Sequence, residues 1–301
     1  MSVHNQDQSP VLPLALGALG IVFGDIGTSP VVALTACLHS NAALLTPNGI
    51  LGIISMIFWA LILVVSVKYL LFITRAESDG EGGIFAIMAI LKSSGQITPK
   101  MLVFSTAVAL IAAALLMADS MLTPALAMLS AVEGLKVSYQ HIDHWILITA
   151  LALIAGLFSI QRLGTGKLGQ LFGPIMLVWF VSIAILGIKE IIKFPQVLIA
   201  FSPQYAIQIA RELGPIGTFS LLGSVMIAVT GAEAIYADMG HFGMKPIKLA
   251  WYFVALIALL LNYFGQGAWL LQHLASIRDN DLPFFALAPE GFLIPLVLLA
   301  T

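Results

Sequence analysis

Two apolar stretches of membrane length are each interrupted by a carboxylate set among small or helix-breaking residues. The first is Gly24-Asp25-Ile26-Gly27-Thr28-Ser29-Pro30, and the second, about two hundred residues later, is Thr230-Gly231-Ala232-Glu233. A charged group near the centre of a bilayer is unfavourable by about 2.5–3.5 kcal/mol on insertion scales, so it faces a cavity, a partner or a substrate. Glycine and proline at the same places release backbone carbonyls from the helical ladder. Inside a membrane such open backbone persists only where protein buries it or where it lines a cavity, and there carbonyls can join a carboxylate in coordinating a cation.

Composition fixes the class. Hydrophobic residues make up 60% of the chain and charged residues 9%, with a mean hydropathy of +1.03, which implies an all-α polytopic membrane protein. The net charge of −2 excludes the basic footprint of a nucleic-acid binder. The single cysteine, Cys37, excludes a disulfide framework and a thiolate metal site and reads as a packing residue. The first apolar stretch has no basic segment before it and no small-residue cleavage site after it, so it reads as a retained helix rather than a signal peptide. Gly164-Thr165-Gly166-Lys167 is not a nucleotide loop, because Leu168 follows the lysine and Gln161 stands where the leading glycine belongs.

With about 20 apolar residues per crossing, helices are expected over 12–38, 50–74, 101–122, 145–160, 171–188, 218–236 and 249–271, with an eighth opening at Phe292. Arg75, Lys92, Lys100, Arg162, Lys167, Lys245 and Lys248 fall on one side, against Lys136, Lys189, Lys193, Arg211 and Arg278 on the other. The positive-inside rule then makes residues 75–100 a cytoplasmic loop and 1–11 a cytoplasmic N-terminus, in a multi-pass protein of the cell (inner or plasma) membrane. If the first and sixth helices are the interrupted pair, five helices separate equivalent positions, and an odd-numbered repeat inserts upside down the second time. The fold expected is a LeuT-like inverted repeat with broken helices one and six, its first repeat over about 12–188 and its second, incomplete, over about 218–301. This is the pattern of a cation transporter.

The chain also resembles the Kup/HAK/KT potassium uptake permeases, through GIVFGDIGTSP (20–30), KYLLFITRAESDGEGGIFA (68–86), LTPALAMLSAVEGL (122–135), GTGKLGQLFGP (164–174), TGAEAIYADMGHFG (230–243) and LNYFGQGA (261–268). The order and spacing of these stretches hold across nearly the whole chain. The resemblance implies potassium uptake coupled to proton entry on a LeuT-like fold, with no cofactor. It carries an ion-binding role onto Asp25, Thr123, Thr230 and Glu233. A buried carboxylate that gives up its cation can take up a proton, which makes Asp25 and Glu233 the proton-coupling candidates. The partners implied are potassium, protons and the lipid bilayer, and a homodimer is left open. Two family ligand positions are lost here, with Val32 in place of a tyrosine and Ala127 in place of a serine, and Ala118-Asp119-Ser120 stands where the family has Gly-Asp-Gly. The family's chains continue through further helices, so this chain is expected to be either a fragment or a shortened product.

Other polar residues have two readings each. Asp119, Glu133 and Asp238 lie near expected helix ends, where capping or pairing with a loop arginine competes with a direct role. The run Glu77-Ser78-Asp79-Gly80-Glu81 is either a gate at the inner exit or a solvated turn. Asn262, Gly265, Gln266 and Gly267 form a small, polar helix face that suits close packing or pore lining equally. Lys68 is expected to snorkel, and the six histidines show no ligand spacing. Two functional alternatives stand beside transport. One is a non-transporting or regulatory remnant of such a permease. The other is an intramembrane enzyme with Asp25 and Glu233 as a dyad, although the flanking sequence does not fit the known aspartyl pattern.

Overall fold

A chain this apolar must satisfy its backbone internally, and helices do so within a single segment. The computed structural model describes residues 11–78, 80–95, 97–134, 143–160, 165–276, 282–289 and 291–300. Among the described residues the structure is helical, and the only strand-like feature is an isolated bridge between Ser78 and Glu81. Residues 1–10, Asp79, Lys136, Gln161, Arg162, Gly164 and Arg278 lie outside them.

Five helices are long and apolar enough to cross a membrane: Pro47–Arg75, Pro99–Glu133, Phe172–Lys193, Pro203–Val229 and Met244–His273. A bent pair, Val11–Ile21 and Gly24–Val31 at 62°, brings the number to six if it counts as one span. In chain order, the stretch expected over 12–38 consists of α1 (Val11–Ile21), α2 (Gly24–Thr28), a 3-10 turn over Ser29–Val31, and α3 (Ala33–Ser40). Next come α4 (Pro47–Ala60), α5 (Ile84–Ser93) and α6 (Pro99–Glu133). Helix α5 falls inside the segment read as a loop: its run Ile-Phe-Ala-Ile-Met-Ala-Ile-Leu is uninterrupted by glycine or proline and satisfies its backbone as a helix, although only Ala86 in it is buried.

Helix α6 runs eleven residues past its expected end at 122. Pro124 lacks only one donor, and the rest of the ladder carries on through it, so the 35-residue helix is about 50 Å long at 1.5 Å per residue. Helices α7 (Asp143–Ile160) and α8 (Thr165–Lys193) follow, then α9 (Pro203–Met226). Helix α9 starts fifteen residues before its expected position, where Ser202 caps it by accepting from the Gln204 N–H. It bends at Gly214 (φ 66°), just ahead of Pro215. The short α10 (Ala234–Ala237), α11 (Met239–Phe242) and α12 (Met244–Ala250) lead into α13 (Leu256–His273), and α14 (Pro283–Ala286) and α15 (Leu293–Ala300) close the order.

The spans differ in how much protein surrounds them. In the apolar 18-residue stretch of each span, 61% of Pro47–Arg75 and 50% of Met244–His273 is buried, against 6% of Pro99–Glu133, which turns most of its apolar surface outward. The centre is built from α8 against both α1 and α13, and from α4 against α9. Small residues permit the α8–α13 approach: a Cβ on Gly265 would lie 2.4 Å from Gly187 Cα, and one on Gly187 would lie 2.1 Å from the Leu261 carbonyl oxygen. Asn262 and Gln266 are fully buried in this interface, so the small, polar face of α13 is a packing face. Two wide-turn segments, Leu61–Phe72 and Trp251–Ala255, meet where Trp251 Nε1 donates to Ser66 Oγ at 2.9 Å.

Replacing Gly265 by leucine forces a side chain into the α8 backbone. It is expected to lower the thermal unfolding midpoint of the detergent-solubilised protein, at a cost of about 1–3 kcal/mol or more. Gly223→Leu, where the added atoms meet open space, is expected to leave the midpoint nearly unchanged.

Candidate functional site

Helix α1 ends where Val22 and Phe23 N–H both reach back to the Ala18 carbonyl, and Phe23 (φ −108°, ψ 9°) turns the chain before α2 begins. Asp25 therefore sits in the first turn of a five-residue helix. Its backbone carbonyl accepts from Thr28 Oγ1 at 2.9 Å, while its carboxylate is free to point away from α2. Beyond it, Ser29 and Pro30 are buried.

The second interruption is built differently. The 3-10 turn Ile227–Val229 follows α9, Thr230 leaves helical geometry (φ −58°, ψ 141°), and Gly231 takes φ +88°. Glycine is required here twice over. Its backbone lies in the left-handed region, and a Cβ would stand 2.8 Å from Asp25 Oδ2 and 2.9 Å from Asp25 Cβ. The backbone of the second interruption thus packs directly on the carboxylate of the first. Turns closed by i to i+3 backbone bonds then carry the chain through Val229–Ala232, Gly231–Ala234, Ala232–Ile235 and Glu233–Tyr236.

Helix α6 supplies the third element. Asp119 and Thr123 lie one turn apart, and Thr123 Oγ1 donates to Asp119 Oδ1 at 2.9 Å. Carboxylate oxygens of Asp25, Asp119 and Glu233 all lie within 4.8 Å of one another, each from a half-buried residue. Three unit charges at that spacing repel, by about 4 kcal/mol per pair at 4 Å and an effective dielectric of 20. The cluster is therefore suited to hold a hard cation, which binds oxygen donors. No His or Cys belongs to it.

The apolar helices and this oxygen cluster can be set beside known proteins. Residues 12–301 match the family described as the K+ potassium transporter integral membrane domain. The chain belongs to that family. It is 49% identical over 288 residues to the probable potassium transport system protein Kup of Thiobacillus denitrificans, covering 96% of this chain and 46% of that protein. It is 46% identical to the probable Kup 2 of Paramagnetospirillum magneticum, covering 100% and 47%. It is 47% identical to the probable Kup of Pseudomonas syringae pv. tomato, covering 99% and 47%. The chain spans about half the length of the curated relatives it matches. No solved structure matches it. A transporter family of this kind is a family of multi-pass membrane proteins and not of enzymes, so the dyad reading is set aside.

Within this family member, Asp25 and Glu233 are brought together, and Asp119 joins them. Asp119 is not at a helix end, because α6 continues fourteen residues beyond it to Glu133, so a capping role is removed. Glu133 is the last residue of α6, about 21 Å along the axis from Asp119. Asp238 sits at the junction of α10 and α11, where its carbonyl accepts from His241 N–H at 3.0 Å. Thr230 Oγ1 donates to the Met226 carbonyl at 3.1 Å. A hydroxyl that has given its proton keeps its lone pairs, so the Thr123 and Thr230 oxygens each remain acceptors. Val32 packs against the core, and Ala127 lies one turn after Thr123; neither offers an oxygen.

The segment after Arg75 rests on the chain just beyond Glu233. The Tyr236 hydroxyl donates to the Ala76 carbonyl, Ser78 and Glu81 exchange two backbone bonds of 3.0 Å, and Glu81 lies against Gly240. The described residues of the acidic run therefore form an exposed turn closed by Ser78 and Glu81, with its Glu81 end resting against Gly240 of α11. Asp119 carried the weakest sequence signal of the three carboxylates. The signal that marks it is its spacing of four from Thr123, which puts acid and hydroxyl on one face of an apolar helix.

A Gly231→Ala substitution is expected to destabilise the protein by about 1–3 kcal/mol through backbone strain, with the steric clash on Asp25 added. Thermal unfolding of Gly231→Ala, Asp25→Ala and the double variant is expected to show a coupling above about 0.5 kcal/mol, as for residues in contact.

Proposed function

We propose that this chain carries the ion-binding part of a potassium uptake protein, with the cation held among Asp25, Asp119 and Glu233 and faced by the hydroxyl oxygens of Thr123 and Thr230. The observation that carries this reading is that three carboxylates from three separate segments converge within 4.8 Å. Two of them lie at the places where helical geometry is interrupted. The names of the relatives, potassium transport system proteins, supply the cargo.

The charge balance supports coupling to protons. A single potassium ion offsets one of three negative charges, and the remaining carboxyls reach neutrality in low-dielectric surroundings only by holding protons. Cation and proton entry are then linked through one cluster, with Asp25 and Glu233 exchanging protons as the ion leaves. The bend after Ile21 and the turn at Thr230-Gly231 fit the paired breaks of a LeuT-like inverted repeat, in which irregular backbone lines the ion's path. On this reading the N-terminus is cytoplasmic, the protein lies in the inner or plasma membrane, and ions leave past the segment 76–83. With Val32 and Ala127 contributing no oxygen, the site relies on carboxylates more heavily than the family pattern does.

The test is rubidium uptake in a bacterium stripped of its own potassium uptake systems and expressing this chain. Asp25→Asn and Asp119→Asn are each expected to cut uptake at least about tenfold, the loss of roughly one charge-assisted contact. Glu133→Gln is expected to keep more than about half, because Glu133 lies outside the cluster. Uptake that collapses with the proton gradient supports symport. Uptake indifferent to Asp25 and Asp119 refutes the site, and absence of uptake with the chain confirmed in the membrane supports the non-transporting reading.

A further inference from the structure

An interrupted helix frees carbonyls, and each must find a partner. In the first interruption two of them are taken by buried side chains from distant parts of the chain. Trp179 Nε1 in α8 donates to the Gly27 carbonyl at 2.8 Å, and Gln266 Nε2 in α13 donates to the Pro30 carbonyl at 3.0 Å. Trp179 and Gln266 are both fully buried. We propose that Trp179 and Gln266 are positioning residues of the ion site, which fix the first interruption from outside so that the Asp25 carboxylate stays aimed at Gly231, Asp119 and Glu233. The inference rests on the potassium-binding reading above.

Three observations favour positioning over simple core filling. First, the two donors belong to one braced unit: Gln266 Nε2 also donates to Asn262 Oδ1 at 2.8 Å, and Asn262 Nδ2 donates to the Ile183 carbonyl at 3.1 Å, one turn along α8 from Trp179. The tightly packed pair α8 and α13 therefore reaches into the interruption at two points. Second, Gln266 Oε1 is buried without a partner. That costs free energy which an apolar residue of the same volume would avoid, so its retention is explained by what Nε2 does. Third, α8 grips the same turn sterically, since a Cβ on Gly27 would stand 2.8 Å from Met176 Cε and from Phe180 Cζ. Each of these carbonyls spends one of its two lone pairs on a buried protein donor, which fixes the direction of the carbonyl and with it the backbone that carries Asp25.

The experiment uses the full chain purified in lipid nanodiscs, with Trp179→Phe and Gln266→Leu, and with Gln266→Met as a second variant of similar volume should leucine fail to fold. Ser55→Ala is the control, because it removes another long-range bond of a fully buried side chain, Ser55 Oγ to the Ser202 carbonyl at 2.9 Å, that does not involve the interruption. Hydrogen–deuterium exchange of residues 22–34 reads the positioning directly, and potassium titration reads its consequence. The Trp179 and Gln266 variants are expected to speed exchange within 22–34 alone and to weaken potassium binding about five- to tenfold, as for loss of one buried hydrogen bond. Ser55→Ala is expected to do neither. Unchanged exchange in 22–34, or equal losses in Ser55→Ala, overturns the proposal, as does faster exchange with undiminished potassium affinity. If the parent chain and Asp25→Asn bind potassium equally or not at all, the ion-binding reading fails. Exchange alone then decides whether these two residues hold the interruption, faster exchange supporting it and unchanged exchange overturning it.

Discussion

The contact between the Asp25 carboxylate and the bare Cα of Gly231 is the constraint on which the site depends. It joins two segments about two hundred residues apart in the sequence, and it exists only because residue 231 has no side chain and tolerates φ +88°. Once that approach is made, Glu233 follows two residues later, and Asp119 needs only an ordinary helix to meet both. The scaffold serves this meeting. Helices α8 and α13 pack through Gly187 and Gly265 at near-backbone distance, and from that rigid pair Trp179 and Gln266 reach the carbonyls of the first interruption.

The protein handles its buried carboxylates in two distinct ways. Glu190, at the end of α8, is 2% exposed and has a built-in cation, with Lys193 Nζ at 2.7 Å and Lys189 Nζ at 3.6 Å. Its charge is offset permanently. Among the described residues no such ion pair involves Asp25, Asp119 or Glu233; the donors that reach them are neutral, the Thr123 hydroxyl on Asp119 and the backbone N–H groups of Gly231 and Glu233 on the Glu233 carboxylate. A group of acids left without a resident counter-charge in an apolar protein is costly. That cost fits the proposal that the missing charge is a cation bound from outside.

Helices expected from hydropathy and those observed differ for local physical reasons. Pro124 does not end α6, since one absent donor in a 35-residue ladder is a small loss when no water competes for the remaining bonds. Residues 84–93 form a helix within a segment whose flanking charges suggested a loop, because eight consecutive apolar residues without glycine or proline favour a helix that satisfies its own backbone, even with only Ala86 buried. The polar face of α13 had two equal readings in sequence, and the contact of Gly265 with Gly187 decides for packing. That same contact gives Gln266 its task at Pro30, a role no local pattern announces.

Composition and pattern alone determined that this is an all-helical membrane protein, that its two costly carboxylates Asp25 and Glu233 sit at interruptions, and which family it resembles. Each of these follows from the energetics of apolar surface and charge, which are properties of residues in order. Only the tertiary structure decided that the two interruptions touch, that Asp119 belongs with them while Glu133 and Asp238 do not, and that Trp179 and Gln266 hold the first interruption in place. Those facts depend on which helices pack against which. Packing is settled by shape at single glycines and by hydrogen bonds spanning 152 and 236 residues of chain, distances over which sequence periodicity carries no information.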